Sequence, residues 1–418
     1  VRPSPRYSAI GLVRHGLRKR PWGRAWRKDE LQPRYDVVVI GGGVHGLSTA
    51  YHLAAQQGIR SVAVLERAYI GSGGSGRNTA IVRANYLTPE GIAFYHRSLE
   101  LYQELADTLN FNIMYEPRGH LTLGHDDSAM RTLRWRAEVN QVMGVESELL
   151  DADGCRRLVP PLDISKDARH PVMGGLWHGP GGIIRHDAVV WGYARAASAN
   201  GVHVHEATRV TAIRQEIGRV VGVDTERGPI EAPIVIDCAA GWAGEVAAMA
   251  GLRLPISTVT LEAAVSEPVR PFLSPILASS NLHIYISQTT RGEVVIGGPV
   301  STFPSYSMRG SLGFLEGVAT SVLELIPSLV HLRVLRQWAG ICDMTPDAAP
   351  IIGATPLAGF FLDVGWGSYG MKAGPAAGES LARLVATGST PELIAPFGLE
   401  RFEEGRLVNE RGASAVGH

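Results

Sequence analysis

Asp36-Val37-Val38-Val39-Ile40-Gly41-Gly42-Gly43-Val44-His45-Gly46 decides how this chain begins to fold. An apolar run closed by glycines reads as a strand followed by a sharp turn. Helical spacing then continues to about Gly58, and a second strand, Val62-Ala63-Val64-Leu65, ends on Glu66. Gly41 makes the tight turn, Gly43 lets backbone approach a pyrophosphate, and Gly46 permits close contact of helix and strand. The helix start, at Val44 and His45, offers N–H groups and its positive dipole end to phosphate. Glu66 is placed to accept from an adenosine ribose hydroxyl, with Arg67 beside it. Strand, turn, strand and acid together predict binding of an ADP-bearing cofactor, which a merely structural turn would not require.

The bulk properties suit a soluble enzyme. With 418 residues the chain can form two domains with sizeable cores. Forty basic and forty acidic residues leave no net charge, which argues against a nucleic-acid partner. No apolar run reaches the length of a membrane span. Cys155, Cys238 and Cys342 lack disulfide or metal spacing and suit a reducing, cytoplasmic setting. The segment 1–34 is a basic arm, with Arg14, Arg18, Lys19, Arg20, Arg24, Arg27 and Lys28 around Trp22 and Trp26. It has no apolar h-region, so a secretory signal is not expected. A solvated arm, an arm anchored on another subunit by its tryptophans, and a transit peptide all stay open.

Farther along, Gly71-Ser72-Gly73-Gly74-Ser75-Gly76-Arg77-Asn78 and the following Thr79 form a loop able to run along the cofactor. Helices are expected at Gly91–Leu109, Met130–Met143 and Ala188–Asn200, and short strands at Val202–His205, Val210–Gln215, Val220–Thr225 and Ile234–Ile236. Small residues in Asp237–Gly244, notably Ala240 and Gly241, let a second segment approach the dinucleotide. Leu261–Val265, His283–Ser287 and Glu293–Gly297 alternate as strands of a separate antiparallel sheet. A strand at Phe360–Val364 then enters Gly365-Trp366-Gly367-Ser368-Tyr369-Gly370-Met371-Lys372 and a helix. A second glycine-rich strand-to-helix turn fits closure over the reactive end of a flavin, whereas a nicotinamide enzyme needs only the first. His203 and His205 alternate on one strand but lack a third ligand, so no metal is expected. No nucleophile elbow supports hydrolysis.

These stretches resemble the amino-acid-oxidising branch of the flavoproteins, and within it the beta-subunit family of the heterotetrameric sarcosine oxidases. The resemblance runs from Arg6-Tyr7-Ser8-Ala9 through the turn with His45, Arg77–Leu87, Arg185–Trp191 and Trp366-Gly367 with Lys372, to Ala395–Glu403. It implies an α/β fold of the glutathione-reductase type, D-amino-acid-oxidase branch. A Rossmann-type FAD-binding domain (35–84, 171–255 and 336–418) would be interleaved with an antiparallel-sheet substrate domain (85–170 and 256–335).

The resemblance also implies two flavins. FAD would be held non-covalently by the turns named above, including Gly367, Gly370, Met371 and Lys372. FMN would be joined covalently through His186, a neutral imidazole attacking the flavin 8α-methyl, with Arg185 supplying charge and Asp187 orienting the ring. Arg83 and Lys372 stand where relatives bind an amino-acid carboxylate. A guanidinium forks onto that group and an ammonium adds point charge. The relatives' covalent FAD cysteine corresponds to Gly340, so Cys342 is expected to serve packing. Their oxygen-activating lysine has no counterpart in Glu293–Pro299. The implied reaction takes a secondary amino acid, sarcosine above all, to an imine at FAD, with electrons passing to FMN and then oxygen. Alpha, gamma and delta subunits would complete the assembly, with NAD, zinc and tetrahydrofolate bound by partners. The rival is a related dehydrogenase of N-methylglutamate, proline or hydroxyproline using another acceptor.

Overall fold

The computed structural model describes residues 9–18 and 24–410. Of the arm, Lys19, Arg20 and Trp22 lie outside the described residues, as do Arg6, Tyr7 and Ser8. Ala9–Arg18 is a helix that the sequence reading did not anticipate. Trp26 packs against this chain's own core, and Arg27 N–H donates to Ser198 Oγ at 3.0 Å. The described end of the arm is therefore tied to its own chain.

Val37–Ile40 is buried at all four positions, as its continuous apolar run requires. It lies inside a six-stranded sheet ordered Ile351–Ala354, Phe360–Val364, Ile234–Asp237, Val37–Ile40, Val62–Leu65, His203–His205. Every pair is parallel except the first, where Ile351–Ala354 returns antiparallel at the edge. From Val37–Ile40 the chain crosses to Val62–Leu65 on one side and later fills the other side with Ile234–Asp237. That reversal leaves a crevice at the carboxyl ends of the strands, the usual ligand position in such sheets.

A second sheet has eight strands in the order Val334–Met344, Ser257–Pro268, Glu293–Pro304, Ile284–Gln288, Ile276–Ser279, His120–Gly124, Gly174–His178, Glu148–Asp151. Its pairs are antiparallel except Ile276–Ser279 with His120–Gly124. This differs from the expected boundaries at three places. Gly174–His178 and Val334–Met344, assigned wholly or largely to the cofactor domain, are strands of this larger sheet because their partners are His120–Gly124 and Ser257–Pro268. The helix Pro89–Thr108, assigned to the substrate domain, buries Ile92, Phe94 and Leu99 in the core that holds Val44 and Leu47.

The helices Val44–Ala55 and Gly370–Thr387 lie close together, and glycine sets the distance. A Cβ on Gly374 would sit 2.5 Å from Val44 Cγ2, and one on Gly378 would sit 2.3 Å from Ser48 Oγ. Pro375 inside the second helix has no N–H for the Met371 carbonyl four residues back. Tyr102 Oη donates to that carbonyl instead, and Ser98 Oγ donates to Lys372 O at 2.6 Å.

The carboxyl-terminal segment is fastened by a buried fork. Arg401 Nε and Nη2 donate to Asp347 Oδ2 and Oδ1 at 2.9 and 3.0 Å, with both side chains almost fully buried. Burial alone would raise the Asp347 carboxyl. Arg401 and the N–H groups of Val408 and Ala349 outweigh it and hold the carboxyl below its ordinary value. Arg401→Ala strands a buried carboxylate and is expected to cost about 3–5 kcal/mol in denaturant unfolding. A lowered folded-state pKa gives stability that is complete above the ordinary carboxylate range and lost as pH falls through the folded value. The cost of Arg401→Ala should therefore shrink in strongly acidic buffer; an equal cost at acid and neutral pH would refute the assignment.

Candidate active site

One cavity collects the glycine turns. It is lined by Gly41, Gly43, Val44, His45, Glu66 and Arg67 on one side and by Gly367, Gly370, Met371 and Lys372 on another. Arg77, Asn78, Thr79, Arg83 and Ala240 line it as well. Gly41 has φ +116°, and a Cβ there would strike Cys238 O at 2.5 Å, so the tight turn does need glycine. A Cβ on Gly46 would meet Gly41 O at 2.1 Å, so Gly46 closes helix on strand and does not line the cavity. Gly43 precedes the helix without a side-chain cap; Ser75 Oγ accepts from Val44 N at 3.0 Å, and the helix N-terminus otherwise faces the cavity. These features fit a dinucleotide.

At the far end of the Val62–Leu65 strand, Glu66 accepts from Gly42 N at 2.9 Å, Ala68 N at 2.8 Å and Ser72 Oγ at 3.1 Å. Arg67 lays its guanidinium 3.8 Å over the Trp242 ring, and both line the cavity. Arg77 Nη1 donates to the carbonyls of Ser72 and Gly73, which curls the glycine-serine loop. Ala240 lines the cavity, but Gly241 does not. Its missing Cβ makes room for Ile341, whose Cγ2 would lie 2.3 Å away, so Gly241 serves packing rather than cofactor approach.

Arg83 and Lys372 reach this same cavity from different elements. Arg83 is buried and donates from Nη1 to Asn85 O and Oδ1 at 2.9 and 3.0 Å, with its guanidinium 4.5 Å over Tyr86. Lys372 places Nζ 5.4 Å from the Tyr369 ring centroid, and no carboxylate among the described residues pairs with it. Burial and the neighbouring Arg83 hold its ammonium well below the ordinary lysine range. An anion placed between the two cations would restore that charge.

Three residues near these cations escaped the sequence reading. His120 lines the cavity and is kept neutral, first by burial and then by Arg83 and Arg136. Arg136, also buried, donates from Nε to Asn85 O at 2.6 Å and thus grips the residue that Arg83 grips. Tyr285 lines the cavity and accepts from Thr79 Oγ1 at 3.1 Å. Its ring occupies the space of a Cβ on Gly297, only 1.9 Å away. Part of the lysine-free segment Glu293–Pro299 thus exists to admit this tyrosine. A polar residue within an alternating strand is the only signal that pointed to His120 or Tyr285, and it is shared by many core residues.

His186 opens the helix His186–Ala199 and does not line the cavity. Its half-buried imidazole reaches the backbone at Gly76, behind the loop whose Ser72–Ser75 face the cavity. Burial lowers its proton affinity and favours the neutral ring. Asp187 does not orient that ring as expected. Its carboxylate takes Arg185 Nε and Nη2 at 2.8 and 3.0 Å and Ala188 N at 2.8 Å, so the Arg185 charge is paired as well. His203 Nδ1 and His205 Nε2 both contact Tyr35 Oη, at 3.0 and 3.1 Å, and no cluster able to hold a metal occurs among the described residues. Cys342 lines the cavity with its thiol pushed up to about 12 by burial, a poor nucleophile.

Residues 36–384 match the family described as DAO, FAD dependent oxidoreductase. The chain belongs to this family. It is 46% identical over 411 residues to the sarcosine oxidase subunit beta of Rhizobium meliloti, covering 98% of this chain and 99% of that one. The corresponding subunit of Rhodobacter capsulatus is 44% identical, covering 99% and 100%. Among solved structures, L-proline dehydrogenase from P. horikoshii superposes with a TM-score of 0.85 at 30% identity, covering 90% of this chain and all of that one. The resemblance to sarcosine oxidase beta subunits is thus borne out, and the chain is an FAD-dependent amine oxidoreductase. Among the described residues, no helix is long and apolar enough to cross a membrane.

Proposed function

We propose that this chain oxidises a small secondary amino acid, sarcosine foremost, as the beta subunit of a heterotetrameric oxidase. The observation that carries the reading is the convergence of Arg83 and Lys372 on the cavity walled by both glycine turns. Relatives named sarcosine oxidase subunit beta, matching nearly end to end, support it.

FAD would be held by the Gly41–Gly46 turn and Glu66 at its nucleotide end and by Gly367–Lys372 at its reactive end. When bound, it supplies the acceptor for the two electrons and the hydrogen that leave the substrate C–H. The chain's residues do the rest. Arg83 and Lys372 take the substrate carboxylate and fix the amine carbon in place. Neutral His120 presents a polar group without competing for the anion. Positive charge beside the carboxylate also lowers the proton affinity of the substrate nitrogen, which must be neutral for its C–H bond to break toward an imine.

His186, neutral and shielded by its own loop, is the residue to which FMN would be joined. From there electrons would pass to oxygen. Alpha, gamma and delta subunits would surround this face, with tetrahydrofolate, NAD and zinc on partner chains, in a cytoplasmic assembly. The second reading, a proline-type dehydrogenase with another acceptor, draws on the 30% identity to L-proline dehydrogenase and on the missing lysine in Glu293–Pro299.

Arg83→Ala should raise the KM for sarcosine by about 10- to 100-fold, the worth of charge-assisted hydrogen bonds, while FAD content stays unchanged; an unaltered KM would discard the carboxylate site. Mass analysis of acid-precipitated chain, isolated with its partners, should find FMN on the peptide holding His186, and an unmodified peptide removes the second flavin. Turnover of sarcosine by the assembled enzyme in air should release peroxide; substrate-reduced flavin that persists in air favours the dehydrogenase.

A further inference from the structure

His45 sits in the first turn of the cofactor helix, where backbone N–H groups alone would serve a phosphate. Its side chain turns sideways instead. Nδ1 lies 2.9 Å from Asp363 Oδ1 and 3.1 Å from Oδ2, and Nε2 lies 2.9 Å from Gly370 O. The ring stacks on Trp366 at 4.7 Å, and Trp366 Nε1 donates to Asp363 Oδ1 at 2.6 Å. His45 thus spans from the start of one glycine-packed helix to the first residue of the other, and it lines the cavity between them.

Both of its partners are acceptors. A neutral imidazole has one N–H and one lone pair, so at least one contact would set lone pair against lone pair unless Asp363 held the proton. Asp363 already accepts the Trp366 N–H on Oδ1, the oxygen nearest to His45 Nδ1. Two ring N–H groups satisfy every contact. The groups facing the ring are Asp363 from the Phe360–Val364 strand and Asp343 from the Val334–Met344 strand, with Asp237 behind Asp363. Burial opposes the charged ring, but Asp363, the Gly370 carbonyl and Asp343 together outweigh it, so the ring binds its proton more tightly than an ordinary histidine. The pair lines the cavity together with Asp343, and it is oriented, because Asp363 is fully covered while His45 keeps 12% exposure at the wall. Its positive end therefore faces the cavity.

We infer that His45 is a doubly protonated bridge between the two helix N-termini, holding positive charge against the flavin and favouring the flavin's reduced, negatively charged state. The inference rests on the FAD reading above. It makes His45 a positioning and charge-bearing residue of the cofactor site, and it explains why an imidazole occupies a turn that needs only backbone.

The test has two arms. Nitrogen-15 spectra of ring-labelled chain, with the His45 signal assigned by its loss in His45→Gln or His45→Asn, should show both ring nitrogens protonated at pH 7, with or without flavin. A singly protonated ring at that pH overturns the inference. The midpoint potential of bound FAD should fall in His45→Gln. We expect about tenfold in the reduction equilibrium, or about 30 mV for a two-electron couple. Asp363→Asn should give a similar fall, and the double variant should add little to either. A potential unchanged in a His45→Gln chain that keeps its FAD also overturns the inference. If His45→Gln does not retain FAD, Asp363→Asn and the ring proton count decide. A chain that takes up no flavin at all sinks the FAD reading instead, and the flavin-free spectrum still answers for the proton.

Discussion

The close contact between two helices is the constraint on which the site depends. Gly374 and Gly378 let Gly370–Thr387 lie against Val44–Ala55 at a distance no side chain would allow. Both helices begin at the same cavity as a result, so their dipole ends add there. The same contact sets the backbone of Lys372, which lies in the first turn of the second helix. Pro375 frees the Met371 carbonyl in that turn, and the helix Pro89–Thr108 supplies Tyr102 and Ser98 to hold Met371 and Lys372 by their carbonyls. Lys372, the residue proposed to bind substrate, is thereby held in place by both neighbouring helices.

How much of this was legible depended on the range of the interaction. The strand, turn and strand around Gly41–Gly46 could be read because the apolar run and the glycine spacing form a local pattern, even though the contact that Gly41 answers to, Cys238 O, is remote in sequence. The second turn, Gly365–Lys372, was legible by the same kind of local spacing, although Gly365 and Gly367 meet Thr345 and Met344 about twenty residues away. The eight-stranded sheet was not. Val334–Met344 looks like any half-buried strand, and only its pairing with Ser257–Pro268 takes it out of the cofactor domain. A small residue also has two possible reasons for being small. Ala240 is small beside the cavity, while Gly241, next to it, is small beneath Ile341. Asp187 shows a third limit: with Arg185 two positions away, its carboxylate satisfies the nearer cation and leaves His186 to the backbone of Gly76.

The loop from Gly71 to Asn78 joins the two proposed halves of the chemistry. Its inner face, Ser72 to Ser75, lines the cavity, and its outer side meets His186. Trp338 Nε1 pins it to the larger sheet by donating to Arg77 O at 2.9 Å. The imidazole meets the backbone at Gly76, between the cavity-lining Ser75 and Arg77. A chain that passes electrons across such a loop has no need of an oxygen-activating lysine within the cavity. The space near that segment is given instead to Tyr285, over the bare Gly297.

The cationic end of the cavity, proposed to take the substrate, is built at a cost to folding. Arg83 and Arg136 both donate to Asn85, a neutral acceptor, and the burial of Arg136 beside Arg83 lowers its proton affinity to about 9. Lys372 is depressed by burial and Arg83, and His120 is kept neutral by burial and the same cations. The nearby carboxylate is Glu410, which is spent on the N-terminus of Pro89–Thr108 through Leu87 and Thr88 N–H. Burying like charges this close opposes folding unless something negative joins them. Apolar residues of similar volume would give a more stable chain with no affinity for a carboxylate. Positive charge has been retained where it destabilises the empty protein, as sites that bind anions require, and the glycine-packed helices and the Arg401–Asp347 fork supply rigidity to offset it.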